Sequence, residues 1–302
     1  MKTVIDITVA GTLRERINSI DSERIISELK INGTLNQADK LCIRQLTGTH
    51  GRIKVLDITN TSGYERIDRN DFEEGSILSI LRLPLNLKTL GWGAFCMCDK
   101  LTTITMPNDI ESIDNYAFNG CIALKSISLP KNLKTLGENA FGGCVGLEEF
   151  KINLSNKNYT AFNGVLYSKD GHTLVKYPAG KTDMTFAVPD DVITIANNAF
   201  FMNGNIHELT LPNGLQTIRD NAFCSCTALQ NINIPLNVKK IGKGVFRCCD
   251  SLQTITCAAT TPPEIEIAED DNLNVNIYVP LTSADCYRQS DEWKELKNIY
   301  GK

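Results

Sequence analysis

Apolar and polar positions recur along this chain with a period of 23 residues. Phe72, Phe95, Phe118 and Phe141 stand 23 apart, and the same interval separates Phe200, Phe223 and Phe246. Six residues after each Phe come Leu78, Leu101, Leu124, Leu147, Ile206, Leu229 and Leu252, and nine after it Leu81, Ile104, Ile127, Phe150, Leu209, Ile232 and Ile255. Five before it come Ile67, Leu90, Ile113, Leu136, Ile195, Ile218 and Ile241. Around the ninth position the pattern alternates, as in Thr103-Ile104-Thr105-Met106 and Asn231-Ile232-Asn233-Ile234, which predicts a short half-buried strand, one per coil. Pro84, Pro107, Pro130, Pro212 and Pro235 follow these strands, and Pro189 opens the coil of Phe200; a residue without an amide hydrogen suits a strand end. Asn86, Asp109, Asn132, Asp191 and Asn237 come next, with short polar side chains suited to turn amides and to a ladder across coils.

A single coil of this length cannot bury both its strand face and its Phe, so neighbouring coils must cover one another. Their strands are expected to pair in parallel, with right-handed connections. The predicted fold is therefore an α/β right-handed solenoid of about 23-residue coils, rich in strand, with short helical or turn segments on the convex side. The Phe row reads as its interior, because an aromatic at a fixed position in an apolar pattern buries a large area.

The segment LPKNLKTLGENAFGGCVGLEEFKI (129–152) and its relatives LPLNLKTLGWGAFCMCDKLTTITM and LPNGLQTIRDNAFCSCTALQNINI share a set of marks. These are Leu-Pro, a Leu or Ile before Gly, Ala-Phe, Cys three residues later, then Leu and a strand. The pattern resembles the BspA-type leucine-rich repeats of bacterial surface proteins, with near-complete copies from about residue 84 to 257. Residues 156–189 resemble the family's hairpin-bearing repeat, and their Asn163-Gly164 and Asp170-Gly171 pairs favour tight turns. The opening ITVAGTL and the closing segment resemble mature termini of such proteins in Bacteroides-like bacteria. That resemblance implies export to the surface or the medium, with Met1 following a removed export signal; a cytoplasmic protein is the alternative.

Five regions are expected: N-terminal capping coils (1–58), repeats (59–152), an enlarged repeat with a hairpin insertion (153–188), repeats (189–257) and a C-terminal cap (258–302). In the first, Glu28 to Thr59 reads as a strand, an Asn32-Gly33 turn, a helix around Ala38 to Leu46 and a second strand. In the last, Ile277-Tyr278-Val279 reads as the final strand. Ser283 to Tyr300 then reads as an amphipathic closing helix carrying Tyr287, Trp293, Leu296 and Ile299.

Composition narrows the function. With 31 Lys plus Arg against 35 Asp plus Glu the net charge is -4, so phosphates feel no general attraction and nucleic acid is not an expected partner. No run approaches the roughly 20 apolar residues of a membrane-spanning helix, so direct membrane insertion is not expected. Cys98, Cys121, Cys144, Cys226 and Cys249 each lie three residues after the repeat Phe, a column of small apolar side chains rather than a metal-ligand spacing. Cys96, Cys224 and Cys248 bring further thiols near, so pairing stays open, with reduced thiols favoured. His50, His172 and His207 are scattered, and no Walker loop, GxSxG elbow or HExxH is present. The acidic run from Glu264 to Asp271 lacks the spaced ligands of an EF-hand and reads as a solvated loop. Catalysis, a cofactor and a metal are accordingly not expected.

Binding remains. The outward strand residues Thr103, Thr105, Ser126, Ser128, Glu149, Lys151, Glu208, Thr210, Asn231, Asn233, Thr254 and Thr256 would form a continuous, mostly uncharged face for a macromolecule. A second candidate is the insertion, where Tyr159, Phe162, Tyr167, His172 and Tyr177 lie in or near a hairpin and would supply the aromatic anchors that the face lacks, unless Phe162 and Tyr167 pack the enlarged coil's interior. Three readings stand in order: adhesion to a protein of a host or partner cell, capture of a glycan in nutrient uptake, and a redox or metal-dependent enzyme.

Overall fold

An apolar residue followed by proline closes most of the long repeat strands, because the proline cannot extend the ladder, and its carbonyl then starts a turn. The carbonyls of Pro84, Pro130, Pro212 and Pro235 accept from the backbone N–H of Leu87, Leu133, Leu215 and Val238 at 3.0–3.2 Å. In the computed structural model, which describes residues 1–21, 25–69, 71–72, 76–266, 275–296 and 298–302, this turn repeats from coil to coil. The chain forms two units, Met1–Tyr159 and Thr160–Lys302.

The first unit opens with strand Lys2–Ile7, helix Leu13–Ile20, strand Glu28–Thr34, helix Gln37–Thr47 and strand Val55–Ser62. With Ile80–Arg82 and Thr103–Thr105 these strands make a five-stranded parallel sheet in chain order, and Ser126–Leu129 pairs in parallel with Glu149–Ile152. The expected Asn-Gly turn is absent: Asn32 and Gly33 stay in the strand, opposite Asn60 and Thr61, past a register shift. Glycine serves a close approach there, since at φ +107° a Cβ would stand 2.2 Å from the Ile7 carbonyl oxygen. The helix at Gln37 begins at an asparagine cap. Asn36 Oδ1 accepts from Ala38 and Asp39, while the fully buried Asp39 accepts from Asn36, Gly11 and Leu13 and so ties the first coil to the second.

Each repeat contributes two strands, not the one expected. The additional pairs Arg66–Ile67, Thr89–Leu90, Ser112–Ile113 and Thr135–Leu136 form their own parallel sheet, placing the apolar residue five before the Phe on its inner side. The sequence marks that residue as buried. Two residues are too few to show the alternation that announces a strand.

In the second unit, hairpin strands Val165–Ser168 and Thr173–Lys176 are antiparallel and lead into parallel strands at Thr194–Ile195, Thr217–Ile218, Lys240–Ile241 and Glu264–Ile265. The hairpin turns fall where expected, with Asn163, Gly164 and Gly171 all at positive φ. Glu264–Ile265 is a strand rather than a loop, while residues 267–271 of the acidic run lie outside the described residues. The other sheet runs Thr185–Ala187, Glu208–Thr210, Asn231–Ile234, Thr254–Cys257, Asn276–Val279 and Ile299–Gly301. The closing segment is therefore not one helix. A helix at Ala284–Gln289 and a 3-10 turn at Trp293–Glu295 bury Tyr287, Trp293 and Leu296, after which Ile299 enters a last strand beside Ile277. Sheet pairing of Ile299–Gly301 satisfies backbone groups that helical continuation would have left at the edge of the stack.

Inside each unit the repeat rings lie one above another. Centroids are 5.3, 5.3 and 5.2 Å apart along Phe72, Phe95, Phe118 and Phe141. In the second unit the column is Tyr177, Phe200, Phe223 and Phe246, spaced 5.2, 5.3 and 5.8 Å. These separations follow from the spacing of parallel strands, about 4.8 Å, and suit offset stacking.

Candidate functional site

The Phe stands between two turns of left-handed backbone. Two residues before it, Gly93, Tyr116 and Asn139 in the first unit and Asn198, Asn221 and Gly244 in the second have φ between 51° and 66°. Two residues after it, Met97, Gly120, Gly143, Met202, Ser225 and Cys248 are likewise positive. This geometry turns the chain tightly enough to bring Phe inward and sends the third residue, usually Cys, in beside it. Cys121 and Cys144 donate their thiols to the carbonyls of Phe95 and Phe118 at 3.2 and 3.1 Å, and Cys226 and Cys249 do so to Phe200 and Phe223 at 3.3 and 3.1 Å. A thiol is small enough for the interior and still offers a weak donor to a buried carbonyl.

The eleven cysteines are thiols, none joined in a disulfide. Burial pushes the Cys121 and Cys226 thiols well above their ordinary range and that of Cys249 up to about 12, which leaves little nucleophilic thiolate. Where a coil lacks the cysteine, Asn203 takes its place; its Oδ1 accepts from the backbone of Asn205 and Ile206. Among the described residues no group of three or more His, Cys, Asp or Glu is placed to hold a metal ion.

The residues of the outward strand face line up. Glu149 and Lys151 stand opposite Ser126 and Ser128, and Asn231 lies between Glu208 and Thr254. Thr103 and Thr105 sit beside Ile80 and Arg82, while Thr210 and Asn233 continue toward Thr256. All are exposed or half-exposed. In line with Thr256 comes Tyr278 and then Tyr300, whose rings are 5.7 Å apart with Lys302 Nζ 5.8 Å from the Tyr278 centroid. The repeat pattern had ended before these tyrosines, so periodicity did not single them out; the alternation within Asn276–Val279 is the signal that finds Tyr278.

The insertion is corrected in part. Tyr167 and Tyr177 are interior, and neither offers a ring to a ligand. Burial pushes the Tyr167 hydroxyl up to about 12, and Tyr177 donates to Asp183 at 2.9 Å. Tyr177 stands 23 residues before Phe200 and fills the Phe position of the enlarged coil. Tyr159 is half-buried, His172 is exposed 3.7 Å from Asp170 on the hairpin turn, and Phe162 is 64% exposed, on the outside of the enlarged coil rather than in its interior.

A family model described as "BspA type Leucine rich repeat region" matches residues 50–167 and 182–267 with six copies. The chain belongs to the BspA-type leucine-rich repeat family. Its fold is shared by solved bacterial structures. One is titled the pneumococcal vaccine antigen PcpA, at 22% identity and TM-score 0.62 over 93% of this chain and 81% of that one. A leucine-rich repeat protein from Eubacterium ventriosum is similar at 23% identity and TM-score 0.60 over 99% and 78%. A leucine-rich cell surface protein from Faecalibacterium prausnitzii follows at 20% identity and TM-score 0.55 over 89% and 80%. A search of curated proteins found no match. Among the described residues of this BspA-type chain, no helix is long and apolar enough to cross a membrane.

Proposed function

We propose that this protein is a non-catalytic adhesion module, displayed on or released from a bacterial cell, that holds a host or partner-cell macromolecule on its long-strand face. One observation carries the reading: residues from successive coils stand in register, solvent-accessible, on the outer side of the sheet, as Glu208, Asn231 and Thr254 do. Identical spacing lets one extended partner meet a polar group at each successive coil, so individually weak contacts add through repetition. Small polar side chains supply hydrogen bonds, and Tyr278 with Tyr300 supplies the aromatic area that usually anchors an interface. The setting outside the cell is supported by two similar structures, one a vaccine antigen and one a cell surface protein.

The test is capture of immobilised fibrillar and basement-membrane proteins by the native protein and by the variant Asn231→Arg/Asn233→Arg, with circular dichroism as the folding control. The variant is expected to lose capture by about tenfold or more while keeping its spectrum. Equal capture by both proteins, or none by either, removes the sheet face as the site. Localisation is tested separately by the start of the native gene, where an opening without any export signal would return the protein to the cytoplasm.

A further inference from the structure

Two neighbouring coils break the rules that govern their turns, at adjacent positions of the repeat. Three residues before the repeat Phe the other coils carry Arg69, Asn115, Glu138, Asn197, Asp220 and Lys243; the second coil carries Trp92. Two residues before it the others carry Gly or Asn, suited to left-handed backbone, whereas the next coil carries Tyr116 at φ +60°. A bulky residue there is strained. Neither ring repays this by burial, for Trp92 is 46% and Tyr116 38% exposed. They meet edge to face, centroids 6.0 Å apart, and Arg69 covers one side of the indole at 5.1 Å.

Trp92 lines a cleft of about 400 Å³ whose other walls are Ile113, Asp114, Asn115, Thr135, Leu136 and Gly137. That volume is in the range of small-ligand sites. Asp114 is the only charged residue of the lining, and it is already engaged. Arg66 reaches it at 2.9 Å from two coils away, and Ser112 also donates to it. On the way the Arg66 and Asp68 side chains lie over Gly91. Asn115 Oδ1 accepts from the Glu138 N–H. The cleft thus combines one aromatic wall, a compensated carboxylate held in place, an amide and a hydroxyl.

We infer that the Trp92 cleft is a binding site for a neutral oligosaccharide. A pyranose ring has an apolar C–H face and a rim of hydroxyls, which match the indole on one wall and Asp114, Asn115 and Thr135 on the others. A cation gains little from a carboxylate already paired with Arg66, and an anion finds no free positive charge in the lining. Tyr116 acts as a positioning residue: its ring packs edge to face with the indole at a position where Asn would adopt the backbone more easily. The sheet face plays no part in this inference.

Calorimetric titration of the native protein with maltoheptaose, cellohexaose, chitohexaose and a linear mannohexaose tests it. At least one should bind saturably and shift the emission of Trp92, the exposed one of two tryptophans. Trp92→Asn, which restores a polar residue, should weaken that sugar by about thirtyfold, and Thr135→Val, which removes only a hydroxyl, by about fivefold. Tyr116→Asn should weaken it while raising the melting temperature, a combination that a merely structural role does not produce. Asn231→Arg/Asn233→Arg should leave the titration unchanged, so failure here and failure of the sheet face are separable. No saturable binding of any of the four sugars below about 10 mM, or Trp92→Asn within about twofold of native, overturns the inference.

Discussion

The Phe position and the turn positions two and three residues before it follow opposite rules in the same coils. Inside, the same ring recurs with centroids 5.2–5.8 Å apart, and where the enlarged coil departs from Phe it departs only to Tyr177. Outside, the turns change from coil to coil and at Trp92 and Tyr116 tolerate exposed aromatics, one of them strained. The difference teaches where selection for stacking stops. A ring that contacts the coils before and after it must match both, whereas a turn side chain in water is free to vary and so can carry recognition.

Breaking the interior rule should have the largest effect. Phe118→Ala removes a fully buried ring from the middle of its column and should cost about 3–5 kcal/mol by chemical denaturation. A loss under about 1 kcal/mol would mean that the column does not hold the coils together. Restoring the turn rule should go the other way: Tyr116→Asn relieves left-handed strain and should gain about 1 kcal/mol by the same measurement. An equally large loss would show that the tyrosine belongs to the core.

Tyr177→Phe sharpens the comparison, because it returns the enlarged coil to the common residue and deletes only the hydroxyl. The expected cost is about 0.5–1 kcal/mol at neutral pH, for one hydrogen bond to the half-exposed Asp183. The Tyr177 hydroxyl, assisted by Lys181, holds the Asp183 carboxyl below its usual range. A depressed folded pKa stabilises in full above the unfolded value near about 4 and ceases to do so as pH falls through the folded value. The gap between native and variant should therefore narrow as pH falls below the ordinary carboxylate range and through the depressed folded value; a gap independent of pH would assign the effect to packing. The smallest perturbation is thiol labelling of the folded protein. Cys248 and Cys286 are exposed and should react first without changing stability, while Cys121, Cys144 and Cys226 should react only on unfolding. Reaction of the buried column in the folded state would contradict its packing.

The candidate face and the fold were largely legible, because each rests on residues that recur at one interval. The insertion was read less well. Tyr177 carries the correct interval from Phe200, yet Gly180 replaces the cysteine three residues on, and His172 and Asp183 replace the apolar residues five before and six after, so it looked like a surface residue. Phe162 and Tyr167 could each have been read either way, and the hairpin turns Phe162 out while it buries Tyr167. Nor did the chain announce that Trp92 and Tyr116 touch, since 24 residues separate them and each breaks a different row of the pattern.

By itself the sequence determined the coil length, the aromatic and cysteine columns, the strand that follows them and the family. All of these repeat, and repetition makes a local preference visible even where one copy is ambiguous. Tertiary structure alone decided the second strand of each coil, the sheet strand that ends the chain, the tyrosines beyond the last repeat and the cleft beside Trp92. Those depend on which side chains stacking brings side by side, and a contact between coils is made by the space between them rather than by any residue's own propensity.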